Sequence, residues 1–302
     1  MAAITAEQKL DSKLQLTEET QRRSELLQAW QRFSGNRMAV MGAILILLMV
    51  LMAIAAPLLT PEEPNFQYQG MRGESPTAEH PFGFDYNGRD LLARVIFGSR
   101  VALMVGLLAT TVALVIGIVI GAVAGYFGGW VDTLLSRIID TLMAFPILAL
   151  LIVLSAVVGP SLTTTILVIG VTGWARFARV VRADVMSLKS RDYVVAAQAS
   201  GAQNGRIIFL HMLPNVLGPV VVLASLGIGS IIILEAALSF LGLGVPPPTP
   251  SWGRILADGR PHLMRYPHIS FFPGLMIVIT VLAFNFLGDG LRDALDPRQK
   301  TD

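Results

Sequence analysis

The sequence predicts an all-α membrane protein with six transmembrane helices and both termini on the cytosolic side. Three observations predict it. Of 302 residues, 53% are hydrophobic and only 15% charged, where a soluble domain carries roughly a quarter charged residues. Six apolar stretches, Ala39–Leu59, Val101–Tyr126, Leu142–Val158, Leu162–Trp174, Val216–Gly242 and Ile269–Leu287, are candidates to cross the bilayer; a core about 30 Å thick takes about 20 helical residues. With the N-terminus inside, the inner segments hold 16 Lys and Arg and the outer segments 7, and basic flanks stay on the cytosolic face.

Residues 1–38 read as a cytosolic tail, polar and mixed in charge, so they are no cleavable signal peptide and insertion relies on the first span. Residues 1–23 read as disordered. From Ser24 to Met38, Leu26, Leu27, Trp30 and Phe33 alternate with Arg22, Arg23, Arg32 and Arg37. This pattern suits an amphipathic helix on the inner membrane surface, or simply a basic flank for span 1 (39–59). Residues 60–100 form an extracytoplasmic segment punctuated by Pro61, Pro64, Pro76 and Pro81. It ends in FGFDYNGRDLLARVIFGSR, in which Asn87-Gly88 signals a turn that Asp85 can cap. Arg89 and Asp90 then open a helical pattern of Leu91, Leu92, Val95 and Ile96, expected as an amphipathic helix at the outer interface.

Residues 101–290 hold the remaining five spans. Gly117, Gly121 and Gly125 recur every four residues in span 2, a small-residue ridge along which another helix, from this chain or another, can approach closely. Pro146 is expected to kink span 3, which could begin as early as Val131. Span 4 is the shortest, and Arg176, Arg179 and Arg182 follow it as inner-face anchors at the start of a long cytosolic loop. Gly288-Asp289-Gly290 reads as the helix cap of span 6, before a cytosolic tail over 291–302. The basic excess is therefore a topology signal and calls for no nucleic-acid partner. With no cysteine, disulfides and Cys-ligated metals are excluded.

The stretch from Tyr193 to Asn215, YVVAAQASGAQNGRIIFLHMLPN, carries more built-in structure than a connector needs. Tyr193–Ser200 favours a helix with a smooth Ala196, Ala197 and Ala199 surface. Gly201 can turn the chain sharply. A second helix with an apolar Ile207, Ile208 and Phe209 patch is expected to end at Leu213-Pro214. Short side chains beside a sharp turn suit insertion into a cleft.

This loop, with GYFGGWVDTLLSRIIDTLMAFP, LSFLGLGVPPPTPSWG and FNFLGDGLRDALDP, resembles the permease subunits of ABC importers for dipeptides, oligopeptides, glutathione and nickel, in particular the "C" type of their two unlike permeases. The resemblance extends over nearly the whole chain and implies the type I importer transmembrane fold. It implies a second homologous permease, two ABC ATPase subunits, an extracytoplasmic solute-binding protein and the lipid bilayer as partners. The ATPase-coupling residues would be Ala196, Ala197, Gly201, Ile207, Leu213 and Pro214. Relatives usually carry Glu before the Ala-Ala pair, and this chain has Val195, so an ion pair made by that Glu has no counterpart here. No G-x4-G-K-[ST] loop is present, so no cofactor is expected on this chain, and ATP and Mg would be used by the partner ATPases. The chain is thus expected not to be an enzyme. Alternating access, driven through the loop, is the mechanism that the resemblance implies.

Glu235 is the clearest ionisable side chain within a span and is expected towards the outer face. An interfacial carboxylate bonded to a neighbouring Arg or backbone amide is the preferred reading; the alternative is the translocation path or outer gate. His262 and His268 share a loop at no common metal spacing, so no metal is expected, and Ser251-Trp252-Gly253 suggests a rigid outer loop with an interfacial Trp. Peptides are the first choice of substrate, with nickel, glutathione or another small solute open. A stand-alone secondary transporter or channel would want repeated halves and midplane charges, and no inverted repeat is evident. An intramembrane enzyme would want an H-E-x-x-H motif, paired aspartates or a Ser–His pair at matching depth, and none appears.

Overall fold

The apolar stretches form long helices whose ends are set by a few polar side chains. The computed structural model describes residues 27–60 and 63–295. The readings made for residues 1–26, for Pro61 and for 296–302 lie outside them. Helix α1 spans 27–35, and Asn36 then caps α2 (Arg37–Leu59) through hydrogen bonds from the Met38 and Ala39 amides to its Oδ1. The Asn36 amide nitrogen also donates to Asp293 Oδ2 at 3.2 Å, tying the start of the chain to its last helix.

Helix α3 runs without a break from Leu91 to Phe127, with Asp90 as its N-cap through Ala93 N at 2.7 Å. The expected amphipathic helix at the outer interface is therefore not a separate surface element. Leu91, Val95 and Ile96 are buried in the bundle, and this stretch is the first turns of span 2. The cause is an insert over 63–90, which folds back over it with α9 (Trp252–Gly259). Trp252 is buried and donates from Nε1 to Val95 O at 2.9 Å, so it is a core residue instead of an interfacial anchor.

The third span is broken. Helix α4 (Gly129–Ala144) and helix α5 (Ile147–Val158) meet at 89°. Leu142–Val158 is therefore not one helix, and Pro146 does more than kink it. Proline lacks the N–H that would continue the ladder and pushes the preceding residue out of the helical region; Phe145 is extended, with ψ 138°. Helix α6 corrects the expectation in the other direction, running from Leu162 past Trp174 to Leu188. Arg176, Arg179 and Arg182 are thus helical residues, not the start of a loop.

Short helix α7 (Asp192–Ala199) precedes α8, which runs from Asn204 to Phe240. Its Ile207–Met212 segment is a π-helical turn, in which the Leu213 N–H reaches back five residues to Ile208 O. This wide turn relieves the clash that a proline ring makes with the carbonyl four residues earlier. Pro214 therefore does not end a second helix: the loop's second half is the beginning of span 5. Asn215 Nδ2 donates to His211 O at 2.9 Å and satisfies a carbonyl in that turn. The last helix, α10 (His268–Leu295), contains Gly288 and Gly290 in its interior. They pack against Leu226 and Ala39, so Gly288-Asp289-Gly290 is a packing face and not a cap.

The most extensive helix pair among the described residues is α3 with α6. A Cβ at Gly117 would lie 2.5 Å from Phe177 Cβ, one at Gly121 2.6 Å from Ala178 O and one at Gly125 2.7 Å from Arg182 O. The ridge faces the chain's own α6, backbone against backbone. Gly121→Val forces these helices apart, and overpacking of this kind costs about 1–3 kcal/mol. The expected result is a clearly lowered melting temperature in detergent, with Gly205→Ala unchanged because nothing lies within 4 Å of Gly205. An unaltered melting temperature for Gly121→Val would mean that α3 and α6 do not approach this closely.

Candidate functional site

The loop between α6 and α8 is held from beneath by apolar packing. Val194, Ile207, Ile208, Met212 and Val216 are buried against Ala122 and Tyr126 of α3 and Val181 and Val185 of α6. Tyr126 donates its hydroxyl to Asn204 Oδ1 at 2.8 Å, which fixes where α8 begins. Ile207 and Ile208 were expected on the docking patch with Phe209; both are instead part of this foundation, and only Phe209 of the three is exposed. The exposed apolar tips are Phe209 and Leu210, 68% and 63% exposed, with Tyr193 and Val195 exposed on α7. Ala196 is exposed, Ala197 half-buried, Leu213 half-buried and Pro214 exposed. Gly201 has φ +76° with no atom near its missing Cβ, so its constraint is backbone conformation alone.

A cavity of about 490 Å³ opens beside α3, α6 and α8, at the α4–α5 break. Its walls are mostly apolar, among them Ala113, Phe145, Phe177 and Ile231, with Thr172, Ser230 and Arg176 as the polar contributions. Below it α4 is tied to α6 by ion pairs. Arg182 forks onto Asp132, with Nη2 to Oδ2 at 2.7 Å and Nε to Oδ1 as the second contact, and Arg179 Nη2 reaches Asp140 Oδ1 at 2.6 Å. Sequence reasoning missed both aspartates as partners; their i, i+8 spacing on one face of α4 was the available signal.

Glu235 lines no part of this cavity. It is buried near the other end of α8, where Ser239 Oγ donates to its Oε1 at 2.7 Å and Val245 N donates to Ser239 Oγ. Its hydrogen-bond partners are the serines Ser239 and Ser251 instead of an arginine, and the arrangement closes the chain turn after α8. The Asp85, Gly88, Arg89 and Asp90 group is also a structural weld. Asp85 Oδ1 accepts from the Asn87 and Arg89 amides, Gly88 has φ +76°, and Arg89 bridges Asp85 at 2.6 Å and Asp258 at 3.2 Å. His262 stacks on Tyr86, and His268 Nε2 lies 3.2 Å from Phe84 O. Among the described residues, no three His, Asp or Glu side chains gather as a metal-binding group.

Residues 117–301, which carry the ridge, the broken span, the loop and all of the cavity wall but Ala113, match the family of binding-protein-dependent transport system inner membrane components. The chain belongs to this family. Residues 24–76 of the permease match the N-terminal transmembrane domain of oligopeptide transport permease C. The permease is 45% identical to the dipeptide transport system permease protein DppC of Alkalihalophilus pseudofirmus, over 91% of this chain and 90% of that one. It is 42% identical to the oligopeptide transport system permease protein OppC of Bacillus subtilis, over 89% and 88%. It is 43% identical to the glutathione transport system permease protein GsiD of Shigella flexneri, over 90% of each. Its fold is shared with a chain of the inward-facing MetNI methionine ABC transporter, at a TM-score of 0.56 and 20% identity, over 68% of this chain and 96% of that one. It is a multi-pass plasma-membrane protein of the ABC importer type I transmembrane fold.

Tyr126→Phe is expected to loosen the start of α8 without unfolding the permease. One hydrogen bond nets about 0.5–1.5 kcal/mol, so amide exchange over 204–212 should quicken by about 2- to 10-fold. Unchanged exchange there would mean that Tyr126 does not hold the loop.

Proposed function

We propose that this permease is one half of the membrane pathway of an ATP-driven peptide importer, working by alternating access. The observation that carries the reading is the Asp192–Asn215 surface: a short helix, a positive-φ glycine and two exposed apolar tips on a foundation shared with α3 and α6. A cleft on an ATPase subunit would receive Phe209, Leu210 and the α7 face, and its movement would pass through Ile207, Ile208 and Val185 into the bundle. ATP and Mg would be bound by two ATPase partners, since this chain has no phosphate-cradling loop. A second homologous permease would complete the pathway, and an extracytoplasmic binding protein would deliver the solute. The loop end then faces the cytosol, in agreement with the 16-to-7 distribution of Lys and Arg. The peptide class is supported by the named dipeptide and oligopeptide relatives.

Purification of the tagged permease in mild detergent is expected to recover the second permease and the ATPases, identified by mass spectrometry. Recovery of the chain alone, active in liposomes without ATP, would replace this reading with a secondary transporter. Within the recovered complex, Gly201→Val forces a β-branched residue into a left-handed conformation at about 1–2 kcal/mol. The expected outcome is a complex that assembles and hydrolyses ATP but has lost most uptake, whereas uptake at the normal rate would remove the turn from the coupling path. Val195→Glu, which restores the residue that relatives usually carry, should leave uptake within about twofold, as surface changes do. A collapse would mean that the loop docks in another way.

A further inference from the structure

Arg176, Arg179 and Arg182 follow one another at three-residue spacing on α6, yet only two of them meet acids. Arg182 pairs with Asp132 and Arg179 with Asp140, both on α4. One step further along this ladder α4 offers Met143 and then the break at Phe145-Pro146, so the acids run out where the cavity begins. Arg176 has no carboxylate within ion-pair distance among the described residues, and it is the one charged side chain in the cavity wall. It stands 14 residues into α6, about 21 Å from Leu162 at 1.5 Å per residue, and so within the depth of a core about 30 Å thick.

An arginine at this depth is costly unless it faces a wet cavity or an anion, and such residues mark substrate pathways. The volume, about 490 Å³, falls in the range of small-molecule sites. The remaining wall is apolar, with hydroxyls from Thr172 and Ser230; the Thr172 hydroxyl is already donated to Val168 O at 2.7 Å. The cavity therefore presents one cation, exposed and without an acidic partner among the described residues, against a hydrophobic surface.

The geometry points to Arg176 as the group that receives the terminal carboxylate of the solute in transit, with the peptide's side chains against the apolar wall. This rests on the peptide reading above. A guanidinium offers two parallel N–H donors to a carboxylate, which gives orientation as well as attraction. An ester or amide at the same terminus offers no charge and only a single acceptor. Arg176 would thus select the end of the peptide and hold it while the pathway changes its opening.

The test uses the complete complex in proteoliposomes, with a dipeptide and its C-terminal amide compared for the unaltered chain, R176Q and R176K. Ratios of variant to unaltered uptake cancel any preference of the binding protein. R176Q is expected to slow the dipeptide about tenfold or more, as loss of a charge-assisted hydrogen bond does, and to slow the amide less than about twofold. R176K should keep dipeptide uptake within about threefold, by retaining the charge while losing the fork. Equal slowing of dipeptide and amide by R176Q would overturn the assignment. If the binding protein refuses the amide, R176K and R176Q decide alone, and equal loss in both overturns it. Dipeptide uptake untouched by R176Q overturns it as well. Failure of the unaltered complex to move any peptide would overturn the peptide reading itself, and this assignment with it.

Discussion

Because Gly117, Gly121 and Gly125 carry no side chain, α3 lies directly against the backbone of α6 over a little more than two turns. In lipid no hydrophobic force draws helices together, so close van der Waals packing of this kind has to hold them. Gly170 on α6 extends the contact toward the other end, where its missing Cβ would meet Val112. At one end of this seam sit Tyr126 and Val185, which carry the loop; in its middle sit Ala113, Thr172 and Phe177, which wall the cavity. The seam thus joins the surface that would feel an ATPase to the space that would hold a solute.

The broken span adds the second constraint. Pro146 removes one hydrogen bond and the helical conformation of Phe145, and α4 then leaves α5 at 89°. Helix α4 is retained by Arg179 and Arg182 reaching across from α6, instead of by deep burial, since only Ile139 of its residues is fully enclosed. Such pairs contribute little stability when exposed, but they set geometry. At the opposite end, the Asp85, Arg89 and Asp258 contacts and Trp252 weld the insert and α9 over the start of α3.

Legibility in the sequence followed the range of the interaction concerned. The four-residue glycine period is local, and it pointed to a close-packed face, although not to which helix would occupy it. The spans before and after the insert were legible from hydropathy. The length of α6 was not, because Arg176, Arg179 and Arg182 read as flanking charge; the aspartates that neutralise two of them lie 50 and 39 residues away. Pro214 read as a helix end because a proline usually breaks the ladder, and here a π-helical turn over Ile207–Met212 carries the helix past it. Trp252 read as an interfacial anchor because that is where Trp in an outer loop usually resides; its burial follows from an insert whose fold over α3 no periodicity discloses. Within the loop the glycine turn and the exposed Phe209 were legible, whereas the burial of Ile207 and Ile208 and the exposure of Leu210 depended on where the helix began.

Loop, seam and cavity wall are expected to move as one body. The chain contains no cysteine, so spin labels can be placed at Leu107→Cys on α3 and Gln203→Cys in the loop with no other site on this chain to label. Leu107 and Tyr126 are 19 residues apart on one helix, about 28 Å at 1.5 Å per residue, so the label separation falls within the range of pulsed dipolar measurement. The same distance distribution is expected with the assembled complex empty and with ATP trapped. A shift or splitting of that distribution on ATP binding would mean that the loop moves against the α3–α6 seam, and that coupling takes another route.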